Sequence, residues 1–212
     1  MTTMDLARAE RADFVELLSG LTPEQWDQQS LCTGWRVRDV AAHAFGFDEL
    51  SRGETVWQFV RGGLIPGRIN ARVLNLYRDW TSEQLCQMVQ RHPDPHGFTA
   101  GFGGMIALVD GMVHQQDIRR PLGIPRAIPD GRLCAVLDFA RYAPLMRGAW
   151  RARGVRLAAT DVDWSFGSGP LVSGPGESLL MAMGARLSAL EELSGPGLDR
   201  LRQNLKSSGP VE

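Results

Sequence analysis

Asp110 and His114 stand one helical turn apart, a spacing that sets both side chains on one face of a helix. A second histidine, His43, falls on an apolar stripe with Val40, Phe47 and Leu50. Each has an ordinary reading when taken alone: a core histidine bonded to a neighbour, and an exposed helical Asp–His pair. Taken together they make a different set. One ligand from one helix and an i, i+4 pair from another are the parts from which metal sites inside helical bundles are built. Two imidazoles and one carboxylate suit zinc and, less selectively, nickel or iron. Three protein ligands leave one position for water or substrate, which is the catalytic pattern rather than the structural one. The remaining histidines, His92 and His96, flank Pro93-Asp94-Pro95 and read as a solvated loop.

The elements that must position these residues follow from hydrophobic period and breakers. Leu6, Phe14, Leu17 and Leu18 recur at helical spacing, predicting a first helix over about 3–20. Thr22-Pro23 starts a short turn through Trp26. After Gly34, one long helix is expected from about 37 to 60, with Asp39 in its first turn, where a carboxylate suits the positive end of the dipole. Pro66-Gly67 separates it from a third helix over about 68–91, and prolines and glycines make 93–104 a loop. A fourth helix, about 105–119, is stopped by Pro121 and Gly123, and a fifth spans about 130–147. The period then changes to two over 155–166, predicting a strand, with Leu171-Val172-Ser173 pairing back on it. Pro175 opens a helix to about 190, and the residues after it read as frayed. The expected fold is mainly α: a four-helix bundle over residues 1–150 carrying the metal site, and a small α/β region over 155–205 packed on it.

Composition narrows the function. With 23 Lys+Arg against 24 Asp+Glu and no basic run, the chain lacks the concentrated positive footprint of a nucleic-acid groove. Cys32, Cys86 and Cys134 are scattered, with no Cys-x-x-Cys pair, and read as reduced thiols of a cytoplasmic protein. The start shows no apolar signal core, and no stretch approaches the roughly 20 apolar residues of a membrane span. A chain of 212 residues buries enough surface to fold without a metal, so a metal site here is functional rather than structural. Gly-x-Ser-x-Gly, Walker-type and His-Glu-x-x-His signatures are missing.

The run Cys32-Thr33-Gly34-Trp35-x-Val37-Arg38-Asp39-Val40-Ala41-Ala42-His43, with Asp110-x-x-x-His114-x-x-Asp117-Ile118-Arg119-Arg120-Pro121-Leu122-Gly123, resembles the metal-ligand segments of the mycothiol-dependent maleylpyruvate isomerase family, a branch of the DinB-like bundles. Ala159-Thr160-Asp161-Val162-Asp163-Trp164, with Ser173-Gly174-Pro175 after it, is similar to that family's smaller C-terminal region. The resemblance implies metal ligation by His43 and His114, with Asp110 where the family has glutamate, one methylene longer. It implies Asp117 as an acidic residue that orients an imidazole or acts in catalysis. Arg119 and Arg120 stand as holders of a substrate carboxylate and Trp164 as a lip of the cleft, while Arg186 is the candidate for the family's C-terminal arginine. The implied cofactors are a divalent metal and mycothiol, and the implied partners a small thiol and a small electrophilic substrate, with the oligomeric state left open. The activity implied is thiol transfer or isomerisation by a thiolate activated at the metal. Two other readings remain: hydrolysis by a metal-activated water with Asp117 as base, and a non-catalytic binding bundle whose site has decayed at Asp110.

Overall fold

The structure, a computed structural model, describes residues 1–143 and 146–208. The chain divides into two compact units, residues 1–126 and residues from Ala127 onwards. The helix expected over 130–147 therefore falls in the second unit. Among the described residues no helix is long and apolar enough to cross a membrane.

The first unit opens with α1 (Thr3–Ser19), started by a reciprocal capping box between Thr2 and Asp5. A second box, Thr22 with Gln25, starts α2 (Pro23–Trp26), which buries Trp26. Where one helix was expected over 37–60 there are two, α3 (Val37–Glu49) and α4 (Arg52–Arg61). Leu50 turns to extended backbone, and the Ser51 hydroxyl caps a new helix together with Glu54. The helix expected over 68–91 divides likewise into α5 (Pro66–Leu76) and α6 (Ser82–Arg91), the second opened by a box between Thr81 and Gln84. After a short 3-10 turn (Gly101–Gly104), α7 (Met105–Leu122) runs through Pro121 and ends on Gly123, whose φ of 66° is the left-handed stop that glycine favours.

Four of these helices close a ring of contacts, α1 on α7, α7 on α3, α3 on α6 and α6 on α1, while α5 packs on α3 and α4 on α5. The α4–α5 pair is thus an excursion from a four-helix bundle. Inside the ring, Phe14 of α1 meets Phe45 of α3 edge-on at 5.4 Å between centroids, and burying a ring of that size contributes about 2–3 kcal/mol. The Arg11 guanidinium, also buried, lies over Phe45 and pairs with buried Asp48, whose other oxygen accepts the Thr99 hydroxyl at 2.7 Å. His96 reaches the Asp48 carbonyl at 2.8 Å and His92 lies 3.4 Å from Glu49. The loop that carried the solvated-loop expectation is therefore tied to the end of α3.

The second unit comprises α8 (Asp130–Ala140), α9 (Gly148–Arg151), β1 (Arg156–Ala159), β2 (Ser165–Gly167), β3 (Leu171–Gly174), α10 (Gly176–Met183), a 3-10 turn (Leu187–Glu192) and α11 (Leu198–Ser208). The strand order is β2-β1-β3, with β2 antiparallel and β3 parallel to β1. The predicted strand is thus a hairpin, turning at 160–164. The helix expected to run to about 190 ends at Met183. The tail expected to fray is helical: Leu201 and Leu205 are buried, and the Asn204 amide donates to the carbonyls of Arg151 and Arg153 at 2.9 Å each.

Gly46 is where α3 admits the end of α5. A Cβ there would lie 2.5 Å from Tyr77 Cε2, and the Tyr77 hydroxyl donates to the Gly46 carbonyl at 2.7 Å. Gly46→Ala is therefore expected to lower the unfolding free energy by about 1–3 kcal/mol, the usual range for overpacking. Chemical denaturation checks this, and wild-type stability in that variant contradicts the packing.

Candidate metal centre

Positions 110, 114 and 117 of α7 follow one helical face, and the helix buries nearly every residue between Ala107 and Ile118. From α3, His43 projects towards the same point. Asp110 Oδ1 lies 3.5 Å from His43 Nε2 and 3.5 Å from His114 Nε2. One donor atom from each of the three residues falls within 4.8 Å of the others. These separations exceed good hydrogen-bond lengths. They match the edges of a tetrahedron about a zinc ion, roughly 3.4 Å for metal–ligand bonds of about 2.0–2.1 Å. The residues present therefore fit a small divalent cation. The shorter carboxylate of Asp110 reaches both rings, and a third of its side chain stays exposed (33%).

The opposite nitrogen of His114 is held inside. Its Nδ1 lies 2.9 Å from Oδ2 of Asp117, whose side chain is fully buried. Such a carboxylate fixes the tautomer that turns the Nε2 lone pair towards a metal. His43 has no matching support: its Nδ1 is buried without a hydrogen-bond partner. Asp39, one turn before it, instead accepts the Arg36 N–H at 2.8 Å as part of the α3 cap. The Trp35 indole steadies both rings, with centroids 5.1 Å from His43 and 6.4 Å from His114.

Local sequence explains how the Trp35 loop is held there. In an α-helix the carbonyl of Asp117 would accept from residue 121, but Pro121 has no N–H. That carbonyl accepts instead from Leu31 N–H at 2.9 Å, which pins the loop to α7 beside the site. The Cys32 thiol then reaches Asp117 Oδ2 at 3.2 Å. Neither Cys32 nor Trp35 stood out as a site residue in the sequence. The available signal was their place in the Cys-Thr-Gly-Trp run just ahead of the ligand helix.

The other expected site residues fall at the end of α7 and in the second unit. Arg119 donates to Gln115 Oε1 at 3.2 Å and to the Pro125 carbonyl at 3.3 Å, so its guanidinium is engaged at the last turn of α7. Arg120 is half-buried in the same turn. In the second unit, Trp164 is buried and donates to Asp138 at 3.2 Å, Arg186 donates to the Gly184 carbonyl at 2.7 Å, and Asp161 accepts from Gly176 N–H at the start of α10. A cleft of about 490 Å³ shares Trp35 with the site but is lined mainly by Thr33, Arg36, Asn70 and Arg78, and includes none of the three converging residues.

Residues 7–62 match the family model described as the mycothiol maleylpyruvate isomerase N-terminal domain. That stretch is similar to the family's N-terminal domain. It includes the Cys-Thr-Gly-Trp run and His43, and the resemblance seen in the sequence is borne out. A crystal structure of the mycothiol-dependent maleylpyruvate isomerase superposes with a TM-score of 0.53 at 14% identity, covering 92% of this chain and 91% of that one. A histidine-to-alanine mutant of the same enzyme gives 0.52 at 13%, with the same coverage. At such identities the likeness is one of fold, and it agrees with a mainly α, DinB-like bundle followed by a small α/β region. No curated protein matches the chain.

Asp110 and His114 form an electrostatic pair. Burial pushes the Asp110 carboxyl up, but the charge and contact of His114, then of His43, outweigh it and hold it below the usual carboxylate range. Burial pushes the His114 imidazole down, but the Asp110 charge with the contacts to Asp110, Asp117 and Cys32 raises it well above 6.5. Stability from His114 is thus present below its ordinary value of about 6.5 and is lost as pH rises through its folded value. Stability from Asp110 is present above about 3.9 and is lost as pH falls through its lowered value. In chelator-treated protein, the stability difference between wild type and His114→Gln is expected to be largest at about pH 4–6.5 and to shrink at higher pH. Denaturation across that range checks it, and a difference that widens with rising pH contradicts it.

Proposed function

We propose that this protein is a metal-dependent thiol transferase or isomerase that uses mycothiol and acts in the cytoplasm on a small electrophilic substrate such as an unsaturated acid. The observation that carries the proposal is the meeting of His43 Nε2, Asp110 Oδ1 and His114 Nε2 at metal-edge spacing, in a bundle whose residues 7–62 match the family model. His43, Asp110 and His114 would hold one divalent cation, zinc ahead of nickel or iron on donor type. Bound there, the cation would supply the positive charge that keeps a thiol ionised at neutral pH.

The chain's own residues do the rest. Asp117 keeps the Nδ1 proton of His114 in place, so that Nε2 stays a donor to the cation. Trp35 walls the two rings against water and holds their planes. Asp110, partly exposed, leaves the approach by which thiol and substrate meet.

The geometry weighs on the two rival readings. Hydrolysis needs a base facing the reacting water, whereas Asp117 is fully buried and turned to the inner nitrogen of His114. A decayed site would follow from an aspartate too short to reach, whereas its oxygen lies equally close to both imidazoles.

Metal analysis after equilibrium dialysis with zinc should find about one equivalent per chain. His43→Ala should weaken zinc binding by more than about tenfold and abolish the consumption of mycothiol with an electrophile. Thiol consumption that survives loss of His43, or turnover that needs no thiol, overturns the proposal.

A further inference from the structure

We infer that Cys32 is a positioning residue of the metal centre, acting through Asp117; the inference rests on the reading of His43, Asp110 and His114 as the ligands. The Cys32 thiol donates to Asp117 Oδ2 across 3.2 Å, and the same oxygen accepts Nδ1–H of His114 across 2.9 Å. A carboxylate oxygen offers two lone-pair directions, and here both are used by donors from different segments. With the second donor in place the carboxylate is turned so that this oxygen faces the imidazole. The thiol also lies 3.8 Å from His114 Nδ1 itself, a longer contact than the 3.2 Å to Asp117, so its main line of action runs through the carboxylate to the imidazole and the metal.

The cysteine is itself placed. Its N–H donates to Ser30 Oγ at 3.1 Å, and its carbonyl accepts from the Gln29 amide at 2.9 Å and from Trp35 N–H at 3.0 Å. One residue earlier, Leu31 N–H is bonded to the backbone carbonyl of Asp117. The loop thus grips Asp117 twice, by its main chain through Leu31 and by its side chain through Cys32.

Cys32, His114 and Asp117 also satisfy the bare distance condition for a metal cluster, sharing His114 with the first set. Their spacings decide between the two roles. The 2.9 Å between His114 Nδ1 and Asp117 is a hydrogen-bond length, shorter than the roughly 3.4 Å edge that two ligands of one zinc would span. The Nε2 side shows the opposite, with 3.5 Å separations too long for good hydrogen bonds. The cation belongs on Nε2 and the hydrogen bonds on Nδ1.

Zinc affinity by chelator competition, on the full chain, tests this with Cys32→Ala and Cys32→Ser, alongside thermal unfolding of the metal-free forms. Cys32→Ala should weaken zinc binding by about tenfold, the lower end for loss of a supporting contact, and Cys32→Ser, which keeps a donor, should recover most of that loss. Cobalt(II) loading adds a readout independent of activity. The wild type should show no thiolate-to-metal charge-transfer band, and the ligand-field bands should shift in Cys32→Ala but not in Cys32→Ser. Wild-type zinc affinity in Cys32→Ala overturns the inference alone, and a thiolate band overturns it by making Cys32 a ligand. A loss in Cys32→Ser equal to that in Cys32→Ala overturns it as well. Failure of the wild type to take up zinc overturns the ligand reading and this inference with it.

Discussion

One imidazole is held from two sides, and the rest of the site is arranged around that fact. His114 meets a fully buried carboxylate at Nδ1 and a partly exposed one at Nε2. Both carboxylates come from its own helix, four residues before it and three after, so the geometry is set by helical period alone. What the helix cannot supply is the third donor and the shield. These come from α3 and the loop before it, His43 and Trp35, and their placement relies on the bundle contact between α3 and α7.

A proline couples loop to helix. Pro121 frees the Asp117 carbonyl near the end of α7, Leu31 takes it, and Cys32 is brought to the Asp117 side chain. A residue that looks like a helix stop therefore works as a docking point. The buried Arg11–Asp48 pair, reinforced by Thr99, fixes α1 to the end of α3 in similar fashion. Breaking a buried pair of that kind leaves an uncompensated charge at about 3–5 kcal/mol, so the register of α3, and with it His43, is strongly specified.

The three converging residues were legible in the sequence because their information is local: a turn of helix separates Asp110 from His114, and His43 sits on an apolar stripe. The breaks within the two long predicted helices were written in the chain as Ser51 with Glu54 and Thr81 with Gln84, but continuous apolar spacing masked them. α11 was hidden for a similar reason, because its few apolar positions acquire meaning only against the carbonyls that Asn204 ties. Cys32 was the least legible. Its contact spans 85 residues of sequence, and it depends on the Leu31 bond to the Asp117 carbonyl, which only a three-dimensional view reveals.

X-ray absorption spectroscopy at the zinc edge, on protein loaded with one equivalent and no added thiol, tests the ligand assignment most directly. The expected result is a set of nearest neighbours of nitrogen and oxygen only, at about 2.0–2.1 Å, with the outer scattering of two imidazoles. A sulfur scatterer at about 2.3 Å would place the ion against Cys32 on the wrong side of His114 and contradict it.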